Sequence, residues 1–202
     1  MKIFAAGFHD MTYNKQAAGS LYDSGNPVIF TKADSSLLRG GRPLFLPDDL
    51  GSIDCAASLV VRICRLGKSI PERFAHRYYD AVTVGIDFTA RDLLRRLQRE
   101  GMPWEMAKGF DGAAAIGEWV PVTSGEGQHT LRLDIDGHTV QHGTGDQRLT
   151  PEALIAHISR WYTLRTGDLI FTGTLTPPTP VAVDNHLTGY LDDRKVLEFN
   201  VK

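Results

Sequence analysis

Three oxygen-bearing side chains could contribute to a site for a hard divalent cation. Asp87 lies in the segment VGIDFTARD, whereas Asp54 and Ser58 lie in the segment IDCAASLVVRI. If the second segment forms a strand, its alternate residues point to the same face, so Asp54, Ala56 and Ser58 would line one site. A hard divalent cation prefers several oxygen ligands that carry more than one negative charge. Because Ala56 offers no oxygen and Ser58 only a neutral hydroxyl, this set meets that preference poorly.

Lys108 could belong to the same site as Asp87. An unpaired buried ammonium group costs several kcal/mol and would respond by lowering its pKa, so a buried Lys108 needs a partner. Asp87 is the partner that we expect. The simpler interpretations are that Lys108 is a surface lysine and that Asp87 only stabilises the N-terminus of the following helix, by about 0.5 kcal/mol.

The cysteines do not predict a metal site or a disulfide scaffold. Cys55 and Cys64 are the two cysteines of the chain, and their spacing matches no zinc knuckle. On the predicted strand Cys55 points away from Ala56, so we expect it in the core. The histidines from His76 onward show no spacing typical of metal ligands.

Short apolar segments bounded by Gly, Pro or Asp predict a strand-rich first half. They cover residues 3–6, 28–30, 59–63 and 82–86. In the second half, Asp136-Gly137 separates LRLDI from HTVQH and predicts a tight hairpin, because Asp-Gly supplies the positive φ angles that such a turn needs. GDLIFTGT and KVLEFNV predict two further strands.

Helices are fewer than strands. Between Thr89 and Glu100 the leucines form one apolar stripe, with Thr89 placed as the N-cap. Thr150 opens a second helix, because Pro151 is tolerated in the first turn. A third candidate covers residues 69–79. Because strands and helices do not alternate regularly, a doubly wound parallel sheet is disfavoured, and we expect a β-rich α+β fold.

The composition is typical of one globular domain. The chain has 202 residues, 42% hydrophobic and 23% charged, with a formal net charge of −2, so we expect one domain over residues 1–202. Lys and Arg do not form one basic block, which disfavours nucleic acid as a partner. No stretch is apolar enough to span a bilayer, and the N-terminal apolar run breaks at His9 and Asp10. We therefore expect a cytoplasmic protein with no membrane partner.

Two linked motifs resemble the central signature of the fumarylacetoacetate hydrolase family. They are VGIDFTARD at residues 84–92 and PWEMAKGFDGAAAIGEWVP at residues 103–121. PVIFTKADSSLL and GDLIFTGT match the family in the same order, so the resemblance runs from about Gly7 to the C-terminus. The chain is most similar to the small single-domain branch, which includes acylpyruvate hydrolases (acylpyruvases), oxaloacetate decarboxylases and 2-hydroxyhepta-2,4-diene-1,7-dioate isomerases.

This resemblance implies a rolled, mixed β-sheet with a few short helices, a homodimer, and a Mg²⁺ or Mn²⁺ site that binds a 2-oxo acid. The family holds its metal with a Glu-x-Glu pair on a strand and with the Asp of the later motif. That Asp is Asp87 here, while the two Glu positions fall on Ala56 and Ser58. The resemblance therefore assigns Asp87 as a metal ligand and marks Ala56 and Ser58 as altered ligand positions.

The resemblance also implies a set of catalytic residues. Three of them are retained in this chain: Lys108, Arg91 and Thr174. Where the family uses a His-x-x-Glu pair as general base, this chain has Tyr13 and Gln16. An unperturbed phenol is a weak base at neutral pH because it holds its proton up to about pH 10. His9 could replace the lost base, although a single histidine in a turn is more often an ordinary surface residue.

Two functions remain open from the sequence. In the first, the metal site is degenerate, catalysis is impaired or altered, and a pocket for a small 2-oxo acid is retained. In the second, the protein is an active metal-dependent hydrolase, isomerase or decarboxylase of an acylpyruvate or oxaloacetate, with the cation stabilising an enolate as a Lewis acid. Ala56 and Ser58 favour the first.

Overall fold

A large mixed sheet forms the centre of the molecule. The computed structural model describes residues 1–7, 27–122, 128–144, 150–174 and 176–202. The strands within these residues are β1 (Ile3–Gly7), β2 (Val28–Lys32), β3 (Leu37–Leu38), β4 (Ile53–Ile63), β5 (Tyr79–Ala90), β6 (Ala114–Ile116), β7 (Val120–Pro121), β8 (Thr130–Ile135), β9 (His138–Thr144), β10 (Leu169–Phe171), β11 (Thr179–Val181), β12 (His186–Leu191) and β13 (Arg194–Asn200). The large sheet has the order β2-β1-β10-β4-β5-β6-β3, with β11 beside β4 and β7 beside β5.

A smaller antiparallel sheet has the strand order β13-β12-β8-β9. Strands β8 and β9 form a hairpin in which Ile135 pairs with His138. The two turn residues, Asp136 and Gly137, have φ angles of 52° and 79°. The hairpin predicted from Asp-Gly is therefore confirmed.

The helices are short. Within the described residues they are α1 (Glu72–Ala75), α2 (Arg91–Glu100), α3 (Glu105–Lys108) and α4 (Pro151–Ser159). At the start of α4, the Thr150 hydroxyl accepts a hydrogen bond from the Ala153 amide at 3.1 Å, as the sequence predicts. The predicted cap of α2 is wrong, because Ala90 occupies the N-cap and Thr89 instead accepts a hydrogen bond from Lys108. Of the third predicted helix, residues 69–79, only the part that forms α1 is helical.

The two faces of the large sheet are buried differently. Cys55 on β4 and Ile86 on β5 point into the main core, which the smaller sheet covers from the other side. Alternation sends Ser58 and Asp87 to the opposite face, where Val60 and Phe171 belong to a smaller apolar cluster. This β-rich mixed-sheet architecture confirms the predicted α+β fold class. Among the described residues, no helix is long and apolar enough to cross a membrane.

Candidate functional site

Strands β4 and β5 place the predicted site residues beside one another. Their antiparallel register sets Ala56 opposite Asp87 and Ser58 opposite Gly85. Side chains that face each other in this way have Cβ atoms about 5 Å apart. Alternation also puts Asp54 on the face that carries Ala56 and Ser58. The structure therefore brings Asp87 and the two altered ligand positions to one patch of the sheet.

Asp87 lies between two ammonium groups. Lys108 Nζ donates a hydrogen bond to Asp87 Oδ2 at 2.6 Å, and Lys32 Nζ lies 2.7 Å from Asp87 Oδ1. Burial alone would raise the pKa of the Asp87 carboxyl group, but the charges of Lys108 and Lys32 outweigh it, so the pKa lies below its usual value. Asp87 is therefore ionised at neutral pH, and each of its oxygens contacts a cation.

Lys108 reaches Asp87 from the end of α3. Its Nζ also donates to Thr89 Oγ1 at 2.7 Å and lies 4.6 Å from the centroid of the Phe30 ring, whose face attracts cations. The side chain is 6% exposed. The interpretation of Lys108 as a surface lysine is therefore wrong, and its expected pairing with Asp87 is present.

Lys32, at the end of β2, is a second buried lysine. Its side chain is 0% exposed, and its Nζ donates to the backbone carbonyl oxygens of Phe88 at 3.3 Å, of Ala113 at 2.9 Å, and of Lys108. Burial lowers the pKa of Lys32 to about 8, against the opposing attraction of Asp87. The sequence analysis did not identify this residue as part of the site. The sequence feature that could have identified Lys32 is its position within the PVIFTKADSSLL motif.

A second ion pair joins β4 to the start of α2. Arg91 Nη1 is 3.0 Å from Asp54 Oδ1, and the two side chains are 31% and 9% exposed. Burial raises the pKa of Asp54, although the charges of Arg91 and Arg95 act in the opposite direction. Arg91 is thus held by Asp54 while part of its side chain remains exposed to solvent.

Ser58 connects β4 to the loop that follows β10. Its hydroxyl accepts a hydrogen bond from the Gly173 amide at 3.1 Å and donates to the Leu59 carbonyl at 3.0 Å. Thr174 follows Gly173 and is exposed. The Ser58 hydroxyl therefore holds the predicted Thr174 loop against β4, with its proton already donated to a backbone oxygen.

The predicted general-base positions lie outside the described residues. Tyr13, Gln16 and the neighbouring His9 all fall between residues 8 and 26. Their catalytic roles stay predictions.

Two surface cavities lie away from the Asp87 cluster. One, of about 510 Å³, is lined by Trp161 and Tyr162 near the N-terminus, and the other, of about 500 Å³, is lined by Trp119 and Glu198. Neither includes a predicted site residue. The candidate site is therefore defined by its strand register and its charges.

Comparison with known proteins decides the family. The family described as fumarylacetoacetate (FAA) hydrolase, C-terminal, matches residues 5–202. The chain belongs to the fumarylacetoacetate hydrolase family.

Relatives within this family are enzymes of small acids. The chain is 32% identical over 195 residues to the oxaloacetate tautomerase YcgM of Escherichia coli, covering 95% of this chain and 88% of that protein. It is 31% identical over 209 residues to a mitochondrial oxaloacetate tautomerase of Arabidopsis thaliana, covering 100% and 94%. Both matches agree with the small branch of the fumarylacetoacetate hydrolase family.

Solved structures of the family give the same result. A fumarylpyruvate hydrolase from Pseudomonas aeruginosa, in complex with Mn²⁺ and pyruvate, has a TM-score of 0.86 at 27% identity, covering 100% of this chain and 89% of that chain. A 5-carboxymethyl-2-hydroxymuconate delta-isomerase from Mycobacterium smegmatis has a TM-score of 0.83 at 25% identity, covering 99% and 78%. Hydrolases and isomerases of the family thus share this fold.

The described residues do not fit the metal site that family membership implies. Of the three ligand positions that the resemblance assigns, only Asp87 carries a carboxylate, because the others are Ala56 and Ser58. Within the described ranges, no three His, Cys, Asp or Glu side chains cluster so that they could hold a metal ion. A divalent cation at Asp87 would also meet the like charges of Lys32 and Lys108. This donor set is poor for a hard cation, which prefers several anionic oxygens.

Proposed function

We propose that the protein binds a small 2-oxo acid at the Asp87 cluster by means of fixed positive side chains, without the divalent metal of its family, and that its catalysis is impaired or altered. One observation carries this proposal. Both oxygens of Asp87 contact lysine ammonium groups, at 2.6 and 2.7 Å, while its cross-strand neighbour is Ala56. An ammonium group neutralises the carboxylate that a metal would otherwise neutralise.

The charge balance of the cluster supports a monoanionic ligand. Apart from Asp92, which lies 4.0 Å from Arg91 Nε and is 61% exposed to solvent, the cluster of described residues contains three cationic and two anionic side chains: Lys32, Lys108, Arg91, Asp54 and Asp87. It therefore has one net positive charge. Positive charge in a site of low dielectric attracts and orients a carboxylate. A 2-oxo acid with one carboxylate would bring the cluster to neutrality.

Lys108 and Arg91 are the groups that we assign to ligand contact. Lys108 is more exposed than Lys32, with side-chain exposures of 6% and 0%, and Arg91 is 31% exposed. An ammonium group can donate hydrogen bonds to the carboxylate or to the 2-oxo oxygen of such an acid. It can also stabilise the enolate form, but less strongly than a divalent cation that binds the oxygen directly. The expected result is ligand binding with slow enolisation.

The names of the relatives support the choice of ligand class. Two are oxaloacetate tautomerases, and one solved neighbour contains pyruvate. Each of these acids has a carboxylate next to a 2-oxo group. Pyruvate, which has one carboxylate as the charge balance requires, is therefore the first ligand to test, and oxaloacetate, which has two, and the acylpyruvates are the next.

The test combines metal analysis with turnover. Protein incubated with Mn²⁺ and then desalted should hold far less than one equivalent of metal. The conversion of enol-oxaloacetate to the keto form is followed by ultraviolet absorbance. The rate catalysed by the protein should be low, and it should be the same in EDTA and in Mn²⁺. One bound equivalent of Mn²⁺ together with turnover that EDTA abolishes would contradict the proposal.

A metal-dependent enzyme is the second candidate, and one observation favours it. Within the described residues, Asp54 Oδ1 and Asp87 Oδ1 are buried oxygens that accept no hydrogen bond of good geometry, despite their ion pairs. Both side chains project from the same sheet face, so together they could supply two anionic ligands at a shifted position. Mn²⁺-dependent turnover that Asp54→Asn abolishes would select this candidate.

A cytoplasmic location remains a prediction from the N-terminal sequence. Fractionation of cells that produce the protein would test it.

A further inference from the structure

We propose that Lys32 is a built-in cation that positions both Asp87 and Lys108. Lys32 would neutralise the Asp87 carboxylate in place of a bound cation, and it is covalently part of the chain. The inference deepens the proposed function and rests on it where it concerns the ligand site. Lys32 is a positioning residue in this scheme, because it lies beneath the groups that we assign to ligand contact.

The surroundings of Lys32 Nζ resemble the oxygen cage of a bound monovalent cation. The carboxylate oxygen Asp87 Oδ1 lies at 2.7 Å, and the carbonyl oxygens of Ala113 and Phe88 lie at 2.9 and 3.3 Å. The carbonyl of Lys108 is the fourth oxygen. An ammonium group has three donors and no acceptor, so its hydrogen bonds go to the three carbonyl oxygens, and Asp87 Oδ1 is held by opposite charge. The side chain is 0% exposed, so these oxygens take the place of water.

The four oxygens come from three parts of the fold. Asp87 and Phe88 lie on β5, Lys108 ends α3, and Ala113 precedes β6. Lys32 itself ends β2. One ammonium group therefore ties four elements together at the point where the site forms.

Lys32 acts on Lys108 in two ways. Its ammonium group donates a hydrogen bond to the Lys108 carbonyl oxygen, which fixes the backbone at the end of α3. It also contacts Asp87 Oδ1, leaving Oδ2 to the Lys108 ammonium group at 2.6 Å. Without Lys32, Asp87 could turn and Lys108 would lose its fixed direction. The charge of Lys32 is thus required for the geometry of the more exposed lysine.

Chemical rescue tests this role. Lys32→Ala removes the charge and opens a space, which ethylammonium can fill with atoms equivalent to Cδ, Cε and Nζ. Lys32→Met retains the length of the stem but removes the charge and leaves no space. Lys195→Ala is the matched control, because Lys195 pairs with Glu198 at 2.8 Å on the exposed surface. Melting temperatures of the ligand-free proteins are measured in ethylammonium, in tetramethylammonium and in sodium salts of equal ionic strength.

We expect both Lys32 variants to melt about 10 °C below the parent in sodium salt, because each leaves Asp87 without one of its buried counter-charges. Ethylammonium should raise the melting temperature of Lys32→Ala in a saturable manner. It should not raise that of Lys32→Met, Lys195→Ala or the parent, and tetramethylammonium, which has no N–H group, should rescue none of them. If Lys32→Ala cannot be purified in sodium salt, the same comparison is made on protein refolded in each salt.

Either of two results would overturn the inference. One is a Lys32→Met protein whose melting temperature equals that of the parent, since the charge of Lys32 would then be unnecessary for stability. The other is a Lys32→Ala protein that ethylammonium does not rescue, since the role would then be packing. These readouts use no 2-oxo acid. Failure of the parent to bind pyruvate would instead count against the proposed function and leave the result for Lys32 standing.

Discussion

At the scale of single residues, the Asp87 cluster differs from a metal site in what it can offer a ligand. A bound divalent cation presents a concentrated charge that a substrate oxygen can coordinate directly. An ammonium group presents only hydrogen-bond donors, and those of Lys32 are directed at three backbone carbonyl oxygens, while its charge faces Asp87. In the proposed function, the chemistry available to a ligand would therefore be binding and modest polarisation, through Lys108 and Arg91.

Asp87→Asn tests how strongly the two lysines depend on this carboxylate. The change keeps the shape of the side chain but leaves two buried ammonium groups without their counter-charge. We expect the free energy of unfolding in urea to fall by about 3 to 5 kcal/mol. Asp80→Asn is the control, because the Arg62–Asp80 pair is 38% and 46% exposed, and it should change stability by less than about 1 kcal/mol. Equal losses in the two variants would show that the Asp87 pairs contribute no more than a surface pair.

The double substitution Ala56→Glu with Ser58→Glu should create affinity for a divalent metal. The register of β4 and β5 would place both new carboxylates beside Asp87, which supplies the third. Repulsion among them should make the double mutant less stable than the parent in chelator. Mn²⁺ at about 100 times its dissociation constant should then restore about 2.7 kcal/mol, because it binds only the folded state.

Thermal melts with EDTA and with Mn²⁺ measure this difference. The matched control is Ala56→Gln with Ser58→Gln, which has the same size without the charge and should not respond. An equally large Mn²⁺-dependent rise in the parent would show that the parent already has a competent site. Our interpretation of Ala56 and Ser58 would then be wrong.

At the scale of elements, β4 separates two environments by simple alternation. Ala56 faces the charged cluster, while Cys55 points into the main core and is 0% exposed, as the sequence predicts. Burial, with a smaller effect from the charge of Asp54, raises the pKa of the Cys55 thiol to about 12. The same strand thus makes one side chain part of a polar site and keeps its neighbour unreactive.

The Cys55 thiol should make stability fall at high pH. A group whose pKa is raised on folding stabilises the folded state fully below its unfolded pKa, which is 9.0 here, and loses that contribution as pH rises towards about 12. The free energy of unfolding of the parent should therefore fall faster above pH 9 than that of Cys55→Ala, by up to about 1.4 kcal/mol per pH unit. Denaturant titrations from pH 8 to 11 in reductant measure the two slopes. Parallel curves would contradict the buried thiol.

The sequence predicted best those elements that depend on residues close together in the chain. Asp136-Gly137 needs only its own φ angles to define a hairpin, and Thr150 caps α4 with a residue three positions away. Thr89 was misassigned because its hydroxyl binds Lys108, which α3 brings back to β5. Lys32 was missed for the same reason, since its partners on β5, on α3 and before β6 are 56 to 81 residues distant. Non-local contacts of this kind have no signature in the spacing of a single sequence.

At the scale of the whole molecule, an exposed aromatic surface favours self-association. Trp161 is 73% exposed and Tyr162 is 43% exposed, and both line the cavity near the N-terminus. Tyr190 is covered within the chain, because the Arg132 guanidinium carbon lies 3.8 Å from the centroid of its ring. Large exposed aromatic residues are typical of protein interfaces.

We propose a homodimer that covers Trp161 and Tyr162. Sedimentation velocity at micromolar concentration should show a dimer, and Trp161→Ser should shift the population towards monomer. Phe45→Ser is the control, because Phe45 is also exposed, at 68%, but does not line this cavity. A parent protein that sediments only as a monomer would contradict the proposal.

The measurement that tests the central claim most directly is a calorimetric titration of the chelator-treated parent with pyruvate. Binding by fixed positive side chains requires no added metal, so the dissociation constant should be the same in EDTA and in excess Mn²⁺. It should rise by about tenfold or more in Lys108→Met, because a charge-assisted hydrogen bond contributes about 1.5 to 3 kcal/mol. Pyruvate binding that appears only when Mn²⁺ is present would contradict the account.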